Sequence, residues 1–265
     1  MEKLPAKTGW LWVKEGVALF RKQPAEVSTL FLSYMFLMLA LGMLPVVGQL
    51  LPLILVPLFA MSFMQACRHI EEGKRVYPNL LLVGFRSPAL RTLLTLGVLY
   101  LLAAFGAVGV SALVDGGTFW NAMTGTGINP KDMENSNISL AMVTAAVAYI
   151  PAAMAFWFAA PLIAWQNMSL GKALFYSFFA VRRAGKAFLL YGLAWLVIGI
   201  LLPAVVSTIV ALLINNMTII VFILLPLSII LTVVMYCSFY PTYTAIFGRP
   251  QREEASVPES NDSAR

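Results

Sequence analysis

Charge is what this chain has least of: only 11% of its 265 residues are Asp, Glu, Lys or Arg, beside a single histidine and two cysteines. A soluble domain carries about a quarter charged residues. With 60% apolar residues and a mean hydropathy of +0.83, that class is excluded. One histidine, His69 in Cys67-Arg-His69-Ile-Glu71-Glu72, has no second His or Cys at ligand spacing, so it reads as an interfacial polar turn and not as a metal site or catalytic base. Two cysteines make no disulfide framework, and Cys67 and Cys237 both fall on the reducing side of the topology derived below. No phosphate-cradling loop, dinucleotide fingerprint, zinc-protease motif or nucleophile elbow occurs. No catalytic residue, cofactor or metal is therefore expected, and the protein is not expected to be an enzyme.

Charge is also missing in blocks. Residues 27–67, 92–114, 135–171 and 187–248 contain no Asp, Glu, Lys, Arg or His. A membrane span takes roughly 20 apolar residues at 1.5 Å each, so the longer blocks must be divided. Pro45-Val46-Val47-Gly48-Gln49 divides the first and Asn215-Asn216 the last. The prediction is an all-α polytopic bundle of six spans near 27–45, 49–67, 90–114, 140–165, 187–213 and 218–246. A charge-free stretch at 116–130 is too polar and Gly-rich to span.

Seventeen of the eighteen Lys and Arg residues lie on one side of those spans, with Lys131 alone on the other. The positive-inside rule makes the basic side cytoplasmic and places both termini there. Residues 1–25 then form a cytoplasmic arm, 26–248 the membrane domain, and 249–265 a polar tail expected to be disordered. The first apolar run lacks a small-x-small cleavage site and leads straight into a second, which points to a signal-anchor. The net charge of +6 belongs to the inner membrane surface, so nucleic acid is not implied.

Three segments are neither spans nor plain loops. Residues 8–22 place Trp12, Val13, Val17, Leu19 and Phe20 on one helical arc and Lys7, Lys14 and Arg21 on the other, the pattern of a helix lying in the headgroup plane. Residues 170–187 carry Lys172, Tyr176, Phe179, Arg183 and Lys186 at helical spacing, and Pro78–Arg91 surrounds Arg86 with apolar side chains. Candidate contacts to anionic lipid headgroups are accordingly Trp10, Trp12, Lys14, Arg21, Lys22, Arg86, Lys172, Tyr176, Arg183 and Lys186. Each segment precedes a pair of spans, which suggests three repeats of interfacial helix plus hairpin. Basic and aromatic belts at ordinary helix ends are the plainer explanation.

Ion-coupled transporters carry ionisable groups within the membrane. Glu26 and Asp115 stand only at span ends, as solvated or capping groups. Pro57, Pro151, Pro161, Pro203 and Pro226 are candidate helix breaks, able to line a pathway with freed carbonyls or merely to kink. Ala103, Ala107 and Ser111, Ala148 with Ala152, and Ala155 with Ala159 form small-residue ridges suited to close helix packing. On the outer side, Asp115, Phe119 and Trp120 are a candidate contact site, or a plain helix-end turn. Two N-x-Ser/Thr triplets, starting at Asn137 and Asn216, lie on the same side.

The segments Leu19-Phe-Arg-Lys-Gln-Pro24, Gly84-Phe-Arg-Ser-Pro88, Leu96-Gly-Val-Leu-Tyr100, Asp115-Gly-Gly117, Met154-Ala-Phe-Trp-Phe-Ala-Ala-Pro161 with Trp165, Lys172-Ala-Leu-Phe175 and Tyr191-Gly-Leu-Ala-Trp195 give the chain its resemblance. It resembles an uncharacterised family of proteobacterial six-helix inner-membrane proteins over residues 9–248, departing from it at Arg182-Arg-Ala184, where an aromatic residue is expected. The resemblance implies a multi-pass protein of the bacterial inner membrane and brings no established activity. The leading expectation is a non-enzymatic membrane-organising, assembly or lipid-associated protein, whose partners are anionic lipids on the cytoplasmic side and a membrane protein. A transporter or facilitator of a neutral or lipidic substrate is the alternative, and an intramembrane enzyme comes third.

Overall fold

A computed structural model describes residues 4–45, 48, 50–124, 137–214 and 216–250. Lys131, most of the two turns expected at 45–49 and 215–216, the outer stretch 125–136 and tail residues 251–265 lie outside the described residues. Among the described residues all regular structure is helical: α1 (Lys7–Lys22), α2 (Pro24–Gly42), α3 (Leu51–Glu71), a 3-10 turn (Pro78–Leu82), α4 (Val83–Arg86), α5 (Leu90–Asp115), α6 (Thr118–Thr124), α7 (Ile138–Phe156), α8 (Ala159–Gln166), α9 (Leu170–Arg183), α10 (Gly185–Ile214) and α11 (Met217–Phe247). Six spans are long and apolar enough to cross a bilayer, namely α2, α3, α5, α7 continued by α8, α10 and α11.

Local chemistry sets the ends of these elements. Gln23 precedes a proline and leaves the helical region (φ −145°, ψ 63°), which separates α1 from α2 and puts Pro24 at the first turn, where a missing N–H costs nothing. The Gln23 amide then ties that joint to the loop after α3: its Nε2 donates to the Lys74 carbonyl at 2.7 Å, and its Oε1 accepts from the Val76 N–H at 3.0 Å. Gly116 closes α5 in the left-handed region (φ 65°), and the Asp115 carboxylate accepts from the N–H groups of Gly117 and Phe119. Asn216 caps α11 by accepting from Thr218 N–H.

Four of the five candidate proline breaks do not end a helix. Helices α3, α7, α10 and α11 run through Pro57, Pro151, Pro203 and Pro226. A proline in lipid leaves one carbonyl free, and neighbouring groups re-satisfy it without ending the helix. Pro161 behaves differently: its ring conflicts with the carbonyl of residue 157, and the fourth span breaks at Trp157–Phe158. Ser177 of α9 fills that break, accepting from Phe158 N–H at 2.9 Å and donating to the Met154 carbonyl at 2.8 Å. Pro241, inside α11, frees the carbonyl of Cys237, and the Cys67 thiol lies 3.9 Å from it.

The interfacial segments are where the fold departs most from expectation. Helix α1 does not rest its apolar arc on lipid. Gly9, Trp12, Val13, Gly16 and Leu19 are buried against α10 and α11, with Trp12 only 1% exposed. Glycines within the stripe let the backbones meet, since a Cβ at Gly9 would strike the Ala187 carbonyl and one at Gly16 would strike Ser238. The 3-10 turn and α4 dock on α3, where Gly84 meets Leu58 and Ser62 donates to the Leu81 carbonyl at 3.1 Å. Helix α9 docks on α7 and α8. Each interfacial segment therefore packs chiefly on the hairpin that precedes its own, with α1 closing the ring onto the last hairpin.

Candidate functional site

At the basic end of the bundle, the C-terminal turns of α3, α8 and α11 meet α4 and the start of α5 around a cavity of about 1000 Å³. Arg68 and Gln65 reach it from α3, Arg86 and Ser87 from α4 and its exit, Gln166 and Asn167 from the end of α8, and Arg249 from just beyond α11. Among the described residues no carboxylate lines it. Its amides are fixed in place: Trp165 Nε1 donates to Gln65 Oε1 at 3.3 Å, and Gln166 Nε2 donates to the Tyr243 hydroxyl at 3.0 Å. Asn167, itself part of the lining, takes the left-handed conformation (φ 50°) that ends α8.

Acidic side chains stand behind the cavity wall. Arg68 Nε donates to Glu72 at 3.0 Å, and Lys74 pairs with the same carboxylate at 2.6 Å. Hydrogen bonding from Lys74, with Arg68 adding to it, holds the Glu72 carboxyl below its usual range. Arg249 pairs with Glu71 at 2.8 Å, and the Tyr240 hydroxyl donates to the other Glu71 oxygen at 2.6 Å. Arg86 is exposed and has no carboxylate partner among the described residues. The cavity thus presents three guanidinium groups and three amides to a shared space, with its positive charge only partly balanced from behind. An oxyanion such as a phosphate suits that donor set, because guanidinium and amide N–H groups give short, charge-assisted hydrogen bonds.

A second cavity of about 280 Å³ lies deeper, between α3, α5, α7 and α11 at the break in the fourth span. Phe63, Tyr100, Tyr149, Phe156, Trp157 and Tyr236 are prominent in its almost wholly apolar lining. Tyr100 donates to the Phe156 carbonyl at 3.1 Å, and the Phe63 and Tyr236 rings stack with centroids 4.5 Å apart.

Of the candidate headgroup residues, Trp10, Lys14, Arg21, Lys22, Arg86, Lys172, Tyr176, Arg183 and Lys186 are exposed at the basic end. Lys14 lies over the Trp10 ring and Lys172 over the Tyr176 ring, both at 5.9 Å. Trp12 leaves that group, being enclosed by Phe188 and Tyr191. Arg86 alone of them lines the large cavity. On the outer side Asp115 is a capping group, Phe119 is half-buried, and Trp120 folds back on Phe105 at 5.8 Å. Arg68, Arg249, Gln65 and Gln166 escaped the reading of the sequence. The amides carry a visible signal, since a polar residue deep in an apolar run asks for a partner.

No family model and no solved structure matches the chain. A probable inner membrane protein of Burkholderia thailandensis is 38% identical to it, with 98% of each chain covered. Together with six apolar spans, that similarity makes this a multi-pass inner-membrane protein. The chain belongs to the same family as the Burkholderia protein, over essentially its whole length.

Proposed function

We propose that this protein is a non-enzymatic, lipid-associated component of the inner membrane, which holds the headgroup of an anionic phospholipid in its cytoplasmic cavity. The observation that supports the reading is the convergence of Arg68, Arg86 and Arg249 from three separate segments on one cavity, beside the fixed amides of Gln65 and Gln166. Exposed basic residues on α1 and α9 draw the same lipids to that surface, each contributing about 1 kcal/mol. An organising or assembly role would run through such lipids and through a membrane-protein partner.

Extraction of the tagged protein into polymer nanodiscs, followed by mass spectrometry of retained lipids and proteins, tests this. Anionic phospholipid should be enriched over the bulk membrane, and Arg86→Gln with Arg249→Gln should cut the enrichment roughly tenfold, the effect of about 1.4 kcal/mol. Bulk lipid composition around the unaltered protein would overturn the reading. A stoichiometric protein in the same discs would identify the partner. The break at Trp157–Phe158 beside the deeper cavity favours a second reading, facilitated movement of a lipidic or neutral solute. Flux through pure protein in liposomes at catalytic rates would establish that alternative.

A further inference from the structure

We infer that the deeper aromatic cavity receives an acyl chain of the same phospholipid whose headgroup occupies the arginine cavity, so that one lipid is bound by head and chain together. The inference rests on the headgroup reading above. Its geometric basis is that single faces of α5, α8 and α11 line both cavities, while α3 stands between the two and turns a different face to each. On α5, Leu93 lines the arginine cavity and Tyr100 the deeper one; on α11, Tyr243 and Phe247 line the first while Tyr236 and Phe239 line the second. Seven residues are two helical turns, so the two linings share a face and are offset by about 10 Å along the membrane normal. Helix α8 repeats the relation over one turn, with Ala160 and Pro161 below Ala164 and Trp165. Cationic and amide donors thus stand at the cytoplasmic level and an apolar space at chain depth, the order of groups in a phospholipid of the inner leaflet.

The chemistry of the deep cavity also says how it would select. A chain leaving the bilayer for this space gains no hydrophobic free energy, because lipid tails are as apolar as its lining. What remains is shape: contact with rigid rings at close packing distance, in a space near the lower end of the ~300–1,000 Å³ usual for ligand cavities. The site should therefore discriminate among chains of one headgroup class by length and unsaturation, and a filled cavity should lose that discrimination before it loses the lipid.

The test uses the full-length protein in detergent, titrated with phosphatidylglycerol carrying short, long saturated or long unsaturated chains, and with glycerol 3-phosphate as the head alone, read by native mass spectrometry. Retention should differ at least several-fold among the chain types and be weakest for glycerol 3-phosphate. Ala60→Phe with Ala153→Phe should level the chain types while Arg86→Gln with Arg249→Gln weakens all of them. If the filled variant keeps the chain preferences of the unaltered protein, or if glycerol 3-phosphate binds as well as the lipids, the chain site is overturned and the headgroup reading stands. If the arginine variant retains every lipid normally, the headgroup reading itself fails. A photoreactive group at mid-chain supplies a measurement on the unaltered protein. It should label peptides containing Tyr149–Phe158 and Tyr236–Phe239, and labelling confined to exposed positions such as Leu201 and Leu212 overturns the chain site.

Discussion

In α11 every buried residue falls between Val233 and Tyr243, in the half nearest the basic side, and none falls in the outer stretch from Met217 to Thr232. Helix α10 repeats the contrast, with Ala187 and Tyr191 its only buried residues, and α2 buries just Val27, Leu30 and Phe31 near its cytoplasmic start. In the outer half, α5 and α7 do pack closely, through Ala107, Ser111, Ala141 and Ala145. Both halves are apolar, so hydrophobicity does not separate them. Lipid removes the hydrophobic reason for helices to associate and leaves close backbone approach and hydrogen bonds to do it. The cytoplasmic half has both: Gly9 against the Ala187 backbone, and the Tyr191 and Ser238 hydroxyls 2.6 Å apart. The outer stretches of α10 and α11 offer mainly exposed Leu, Ile and Val, among them Leu196, Ile200, Leu212 and Val221.

The strongest way to break this contrast is to disturb a close approach in the tight half. A Cβ at Gly9 would meet backbone atoms of Ala187 and Tyr191, which cannot swing aside as a flexible side chain could. Gly9→Leu should therefore lose about 3 kcal/mol or more, the upper range for overpacking, measured by unfolding in mixed micelles. A change no larger than that of a lipid-facing substitution would remove the contrast. Next comes Ser177, fully buried at the break in the fourth span. Ser177→Ala strands the Phe158 N–H and the Met154 carbonyl, and about 2 kcal/mol should be lost. Ser177→Thr offers the same hydroxyl and tests whether the hydrogen bonds or the space matter.

Charge segregation and charge-free length made the six spans legible, because in lipid each backbone must satisfy itself and only a helix of sufficient length can do so. The docking of α1 was not legible. Its stripe of Gly9, Trp12, Val13 and Gly16 shows that one face is buried, but the same stripe serves a headgroup plane or a neighbouring helix. Two glycines within it were the overlooked sign of a protein partner. The arginine cavity was hidden for another reason: Arg68, Arg86 and Arg249 each look like an ordinary interfacial charge, and only the docking of α4 beside the ends of α3 and α11 brings them together. The prolines misled because composition counts them alike, whereas Pro161 breaks its span and Pro151 does not.

Charge sharpens the comparison further, since Arg68 and Lys74 pair with Glu72, and Arg249 with Glu71, at the cytoplasmic end. Lys74 and Arg68 depress the Glu72 carboxyl, so its contribution is present above the ordinary carboxylate range, near pH 4.3, and is lost as pH falls through the lowered folded value. Lys74 is largely exposed, which holds the effect under about 1 kcal/mol and makes it sensitive to salt. Melting curves at neutral pH and near pH 3 should differ less in Glu72→Gln than in the unaltered protein. Equal pH sensitivity in both would assign the loss to other carboxylates.

The smallest expected effect is the counterpart of the first prediction. Gly199 lies in α10 beyond its last buried residue, and an added Cβ there would meet nothing within 4 Å. If the outer stretch of α10 is solvated by lipid, Gly199→Leu exchanges lipid contacts for a side chain lipid already tolerates, and the change should stay within about 0.5 kcal/mol. Leucine also loses less backbone freedom in a helix than glycine, so any residual shift should favour the folded state. The informative result is a substantial loss, because it could come only from a surface that Gly199 touches and this chain does not supply. Repeating the measurement across protein concentrations would then identify that surface: a loss that grows on dilution belongs to a second copy, and one independent of concentration belongs to a co-extracted partner.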